Sequence, residues 1–94
     1  MTKEKYGAGK ARKADISMEL DLHALTVDEA LPLLQDYLND AFMAGLKEVR
    51  IVHGKGTGTL RQAVMRELKK HPLVKSFRIG GRFEGSTGAT VVNL

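Results

Sequence analysis

Apolar and polar residues follow two periods along the chain, and its first half predicts a strand and then a helix. Residues 18–22 alternate between apolar and polar, which is typical of a strand with one buried face. From Thr26 to about Phe42 the apolar residues recur at helical spacing, and Thr26 with Glu29 has the spacing of a capping box. Pro32 lies too deep for a first-turn proline, so it predicts a kink or a 3₁₀ start.

The second half predicts one more helix between further strands. The strands are expected over residues 48–53, 74–79 and 89–94, and the helix over residues 60–71. Thr59 with Gln62 has the spacing of a second capping box, and Pro72 prevents the helix from continuing.

The order β-α-β-α-β-β predicts an α/β two-layer sandwich, in which a four-stranded mixed sheet carries two helices on one face. Two right-handed crossovers make the first three strands parallel, and the last strand returns antiparallel. Residues 16–94 form this single domain. Residues 1–15 are polar, basic and rich in Gly and Ala, and they are interpreted as a flexible linker or lead-in.

Composition narrows the class of protein. The 94 residues include no cysteine, which excludes a disulfide framework and a thiolate metal site. No apolar run approaches the length of a membrane span, and the N-terminus lacks the apolar stretch of a signal peptide. A cytoplasmic protein with no membrane partner is expected.

Charge is unevenly distributed along the chain. Residues 1–14 hold five Lys or Arg and one acid, and residues 15–46 hold seven acids with no Lys or Arg. Residues 47–94 hold ten Lys or Arg against three acids. The second half is therefore a candidate surface for a polyanion, whereas the basic N-terminus is also explained as a solvated segment.

Glycines alternate with polar residues at the predicted corner between the second strand and the second helix. Such a corner lets backbone N–H groups approach an anion, and the helix dipole favours negative charge there. This predicts a phosphate site built by Gly54, Lys55, Gly56, Thr57, Gly58 and Arg61. A tight turn without a ligand is the alternative. Neither GxxxxGK[ST] nor GxGxxG is present, so a nucleotide cofactor is disfavoured.

Three candidate catalytic residues lie at the ends of the first two strands: Asp21, His23 and His53. Carboxyl ends of parallel strands gather ligands, so these side chains are expected to meet beside the glycines. Either His23 or His53 could move a proton, while Asp21 could orient a histidine or hold Mg²⁺ or another divalent metal. Zinc on these three residues stays open, and a two-metal site is disfavoured because only one acid is at hand.

The same residues resemble the Smr (small MutS-related) domain family. The resemblance rests on Leu20–His23 (LDLH), on His53–Arg61 (HGKGTGTLR) and on the late run from Gly85 to Val92 (GSTGATVV). The sequence is most similar to the copy that ends the bacterial MutS paralogue that suppresses recombination. The resemblance implies that the last strand lies beside the second. It also implies that this domain belongs to a larger ATPase chain that dimerises elsewhere.

The resemblance further implies an endonuclease module that nicks DNA, branched or duplex, or else RNA, with little sequence preference, in recombination suppression or DNA repair. The alternative is a non-catalytic module that binds the nucleic-acid backbone or the ribosome. A third possibility is a protein-interaction domain that uses the acidic first helix. Ala24 stands where the family usually has glycine; if that position needs a positive φ, alanine costs about 1 kcal/mol. Phe83 is the candidate for base stacking.

Overall fold

The computed structural model describes residues 16–56, 58–82 and 86–94. Its elements are β1 (Glu19–Asp21), α1 (Val27–Met43), β2 (Glu48–Val52), α2 (Thr59–Lys70), β3 (Ser76–Ile79), a 3₁₀ turn (Ser86–Gly88) and β4 (Ala89–Asn93). This confirms the predicted order of elements. The linker predicted for residues 1–15, together with Thr57 and Phe83, lies outside the described residues. None of the helices in the described ranges is long and apolar enough to cross a bilayer.

The four strands form one mixed sheet in the order β1-β2-β4-β3. β1 is parallel to β2, and β4 is antiparallel to both β2 and β3, so the first three strands share one direction. Both the predicted directions and the placement of β4 beside β2 are confirmed. Asp21 pairs with Val52, which pairs in turn with Ala89. The ends of β1 and β2 therefore meet the start of β4 at one edge of the sheet.

The start of α1 follows its prediction. The Thr26 hydroxyl accepts the Glu29 N–H at 3.2 Å, and the Glu29 carboxylate accepts the Thr26 N–H at 3.0 Å, which completes the capping box. Pro32 lies inside α1 without ending it. The first turn contains a 3₁₀-type bond, in which the Glu29 N–H also donates to the Thr26 carbonyl at 3.1 Å.

The start of α2 differs from its prediction. The N-cap is Gly58 rather than Thr59, the N-cap residue makes no side-chain cap bond, and Thr59 is already helical. The Gln62 N–H donates to the Gly58 carbonyl at 2.9 Å. Gly58 has φ of +89°, a left-handed conformation that glycine adopts without steric cost. The capping-box prediction is wrong because the chain turns into the helix through this glycine.

Both helices bury one face against the same side of the sheet. The core combines apolar residues of the strands with those of the helices: Leu20, Leu22, Val49, Ile51, Val92, Leu34, Leu38, Val64 and Leu68. Tyr37 is also fully buried, and its hydroxyl donates to the Ser17 carbonyl. Glu67 is the buried charge of the helix layer; it accepts Gln35 Nε2 at 2.8 Å and lies 3.8 Å from Lys70 Nζ, which links α1 to α2.

Because side chains alternate between the two faces of a sheet along each strand, the position of each site residue decides on which face its side chain lies. Leu20 and Ile51 pair with each other and are buried beneath the helices. Asp21 follows Leu20, so its side chain points to the opposite face, where it is exposed. His53 comes two residues after Ile51 and returns to the helix side, where it is buried.

Candidate nucleic-acid interface

Two glycines bring the loop backbone against neighbouring side chains. Gly54 has φ of +84°, and a Cβ placed on it would lie 3.3 Å from His23 Cβ. A Cβ placed on Gly58 would lie 3.0 Å from Arg61 Nη2. A larger residue at either position would therefore need both a strained φ and more room. Gly56 has open space on its side-chain side, with nothing within 4 Å.

The 3₁₀ turn before β4 anchors this loop. The Gly88 carbonyl accepts the N–H of His53 at 3.0 Å and the N–H of Gly54 at 2.9 Å. A Cβ on Gly88 would lie 3.2 Å from Lys55 Cγ, so the aliphatic stem of Lys55 rests on this turn. The Gly54 N–H is therefore used inside the protein and is not available to an anion.

His53 is enclosed by the loop and the sheet, with 4% of its surface exposed. Its Nδ1 lies 3.0 Å from the Gly54 carbonyl, and its Nε2 lies 2.8 Å from Thr90 Oγ1. A carbonyl only accepts, so Nδ1 carries the proton, and Nε2 of the neutral ring accepts the Thr90 hydroxyl. Burial lowers the pKa of His53, the bond to Gly54 opposes this, and the charge of Arg61 lowers the pKa further.

Those contacts hold the His53 ring inside the protein, and its predicted part in proton transfer stays a prediction. Both ring nitrogens are engaged inside the protein, and the lowered pKa keeps the ring neutral near pH 7. The ring therefore has no free nitrogen for a proton from a nucleophile or for a zinc ion. Its visible function is to hold the glycine loop against β4 through Thr90.

Asp21 and His23 form an exposed pair at the end of β1. Asp21 Oδ1 accepts His23 Nδ1–H at 2.6 Å and the His23 backbone N–H at 3.0 Å. The side chain of His23 is 62% exposed and that of Asp21 is 55% exposed. Burial raises the pKa of Asp21, but the hydrogen bonds from His23 outweigh it and leave that pKa below its usual value. Because Nδ1 donates to the carboxylate, Nε2 is the ring nitrogen open to a ligand.

The predicted meeting of the site residues is realised in two adjoining parts. One is an open pocket of about 420 Å³ formed by the glycine loop with His53 and Arg61, and bounded by the N-terminus of α1. The other is the Asp21–His23 pair, which lies on the rim against Gly54 and does not line the pocket. Lys55 is exposed beside both. Arg61 and the α2 N-terminus thus line the pocket, Lys55 lies beside it, and the His23 ring oriented by Asp21 lies next to it.

Asp21 is the predicted metal ligand, and its surroundings offer few further ligands. Within residues 16–56, 58–82 and 86–94, no three His, Asp or Glu side chains lie close enough to hold a metal ion. Asp21 Oδ1 already accepts two hydrogen bonds from His23. The residues present therefore do not form a closed set of ligands for a metal.

Sequence reasoning missed Thr90 and the anchoring role of Gly88. Thr90 is fully buried and lies on the helix side of β4 like Val92. A polar residue at a core-facing position of an apolar strand was the available signal. The question left open about Ala24 is answered, since its φ is +68°.

Similarity to known proteins agrees with this geometry. Residues 20–94 match the family model of the Smr domain. The chain belongs to the Smr domain family. Over 85 residues it is 55% identical to Endonuclease MutS2 of Pelotomaculum thermopropionicum and 52% identical to Endonuclease MutS2 of Geobacillus thermodenitrificans. Each alignment covers 90% of this chain but 11% of the relative, so the chain matches a small part of those proteins.

Solved Smr structures share the fold. The crystal structure of the Smr domain of Thermus thermophilus MutS2 gives a TM-score of 0.78 at 46% identity, over 81% of this chain and 95% of that one. YdaL, a stand-alone small MutS-related protein from Escherichia coli, gives 0.78 at 28% identity, over 82% of this chain and 63% of that one. The resemblance drawn from the motifs is confirmed, and with it membership of a nucleic-acid-binding, endonuclease-related family.

Proposed function

We propose that this Smr domain binds the phosphate backbone of nucleic acid at the glycine loop and nicks the strand beside it. The observation that carries the proposal is the Asp21–His23 pair, an exposed and oriented histidine lying against the loop. DNA, branched or duplex, is the proposed substrate, and RNA is the alternative. Because phosphate contacts carry no sequence information, little sequence preference is expected.

The binding half of the proposal rests on charge and on backbone donors. The first amides of a helix have no acceptor within the helix, and the N-cap of α2 is Gly58, which has no side chain to supply one. Together with the helix dipole they favour an anion in the pocket. Arg61 lines that pocket and Lys55 lies exposed at its edge, so both can meet phosphate oxygens.

The chemical half assigns proton transfer to His23. With Nδ1 held by Asp21, His23 Nε2 takes a proton from water, the water oxygen bonds to phosphorus, and the bond to the leaving sugar oxygen breaks. The Asp21 carboxylate stabilises the imidazolium that results. Lys55 and Arg61 offset the negative charge that develops on the phosphoryl oxygens. The leaving oxygen takes up a proton from solvent.

A divalent metal such as Mg²⁺ is part of the proposal only through Asp21. Mg²⁺ in phosphate chemistry is commonly held by one or two carboxylates together with substrate oxygens. Since the residues around Asp21 do not complete a ligand set, no step is assigned to the ion. Nicking measured with and without EDTA decides whether a metal is required.

The test is nicking of supercoiled plasmid by the purified chain. His23→Asn removes the base but keeps a short polar side chain, and we expect nicking to fall about 10²–10⁴-fold while binding is retained. His71→Asn is the matched control, because His71 caps the far end of α2 and its Nδ1 accepts the Leu73 N–H. Unchanged nicking in His23→Asn would instead identify a contaminating nuclease and overturn the catalytic assignment.

A non-catalytic module that binds the nucleic-acid backbone or the ribosome is the second candidate. It is favoured by the surroundings of His53, a predicted proton carrier, because both of its ring nitrogens form hydrogen bonds inside the protein. Binding that depends on Lys55, without nicking by the wild-type chain, would select this candidate. We further propose a cytoplasmic role in DNA repair or recombination suppression, within a longer ATPase chain that dimerises elsewhere.

A further inference from the structure

A second depression on the helix layer adjoins the pocket at the glycine loop, because the two share the lining residue Val27. That depression lies between α1 and α2 and is bordered by Leu31 of α1 and by Ala63, Arg66 and Lys69 of α2. We call the two together the interhelical groove. It begins at Arg61 and ends near the C-terminus of α2.

The groove carries positive charge beyond what the loop supplies. Arg66 and Lys69 are exposed, and neither forms an ion pair within the described residues. Glu67 is the acid that lines the groove, and it is already bound to Gln35 and Lys70. The lining residues contributed by α1 are apolar, although that helix carries acids elsewhere on its surface. The net field along the groove therefore favours an anionic ligand.

We infer that the interhelical groove holds the continuation of the strand bound at the glycine loop, with Arg66 and Lys69 each meeting a phosphate. The inference rests on the proposed function, because the groove as defined includes the pocket that is proposed to bind phosphate. From Arg61 to Lys69 the helix rises by about 12 Å. That length spans about four phosphates on one strand of a duplex. The chain would thus contact a length of backbone instead of one phosphate.

The test is the salt dependence of binding to a short DNA duplex, measured by fluorescence anisotropy between about 50 and 200 mM salt. For Arg66→Gln and Lys69→Gln we expect the slope of log K against log salt to fall by about 0.9 each. Glutamine keeps the helix propensity of the residues that it replaces. Lys47→Gln is the matched control, because it removes the same charge directly before β2, at the opposite end of that strand from the loop.

Two further variants separate this inference from the proposed function. Lys55→Gln and Arg61→Gln should lower the slope by about the same amount each, through the glycine loop. If these two lower the slope while Arg66→Gln and Lys69→Gln match Lys47→Gln, the groove inference is overturned and the phosphate site stands. If all four match Lys47→Gln, the proposed function fails as well. The inference is also overturned if an acidic peptide competes with DNA for the wild type but not for Arg66→Gln, while the salt slope of Arg66→Gln for DNA is unchanged. The groove would then be assigned to a protein partner.

Discussion

His23 and His53 end neighbouring strands, yet the structure places them in opposite environments. His23 is 62% exposed at its side chain and is oriented by Asp21, whereas His53 is 4% exposed with both nitrogens bonded inside the protein. Both histidines adjoin Gly54, one from the rim and one through the Gly54 carbonyl. The same residue type is thus open to solvent on one side of the loop and bonded inside the protein on the other.

The comparison shows that position at a strand end does not fix a role. The two histidines differ in the face of the sheet on which their side chains lie. His23 follows the exposed side of β1, and His53 follows the buried side of β2. Burial then removes solvent from His53, which lowers its pKa and makes its hydrogen-bond partners obligatory.

Removing the enclosed ring should give the largest change in stability. His53→Ala leaves the Thr90 hydroxyl and the Gly54 carbonyl without their partner and opens a cavity beside the loop. We expect the free energy of unfolding to fall by about 2–4 kcal/mol, measured by urea denaturation. His23→Ala, at the exposed site, should change it by less than about 0.5 kcal/mol. Equal losses in the two variants would contradict the division of roles.

Lowering the pH should also reduce the free energy of unfolding through His53, by less than removal of the ring does. Burial lowers the pKa of His53 in the folded protein, so between that value and the unfolded value of 6.5 the unfolded chain binds more protons. The contribution of His53 is therefore complete above the unfolded pKa and is lost as pH falls through the folded one. We expect unfolding free energy to decrease as pH drops below about 6.5.

His53→Gln provides the control for this pH dependence. The glutamine amide does not titrate, so the part of the decrease that belongs to His53 should disappear. His23→Asn should retain that part, since the enclosed ring is still present. A decrease that persists unchanged in His53→Gln would contradict the assignment of this pH dependence to His53.

Thr90 tests the contact that holds His53 in place. Thr90→Val keeps the shape of the side chain but leaves Nε2 of the buried neutral ring without a donor. We expect a loss of about 1–2 kcal/mol in unfolding free energy and weaker DNA binding, because the loop is no longer anchored through His53. Thr87→Val, at an exposed position of the neighbouring turn, is the control and should change neither quantity.

Much of the fold was accessible from the sequence because its periods were clear. The capping box of Thr26 and Glu29 and the order of elements follow from local spacing. The place of β4 beside β2 does not, since spacing leaves the order of strands in a sheet open. That placement came from the family resemblance.

The sequence patterns name the candidate site residues, which stay predictions, but they do not show the orientation of the side chains. Val49, Ile51 and Val52 are all apolar, so β2 lacks a clean alternation that would show to which side His53 turns. Its partner Thr90 is 37 residues away, and such a pairing depends on the register of β2 with β4. The N-cap of α2 was misassigned because a left-handed glycine replaces the side-chain cap that the spacing indicated.

Replacing Ala24 should give the smallest change in stability. It tests only the turn that carries His23. The Ala24 φ of +68° is unfavourable for a residue with a Cβ, whereas glycine adopts it freely. Relief of this strain is partly offset by the greater entropy of glycine in the unfolded chain, so Ala24→Gly should stabilise the protein by about 0.5–1 kcal/mol in urea denaturation. Ala44→Gly is the control, because Ala44 has φ of −79° and should gain nothing. If Ala24→Gly destabilised the protein as much as Ala44→Gly does, the turn that carries His23 would not be strained.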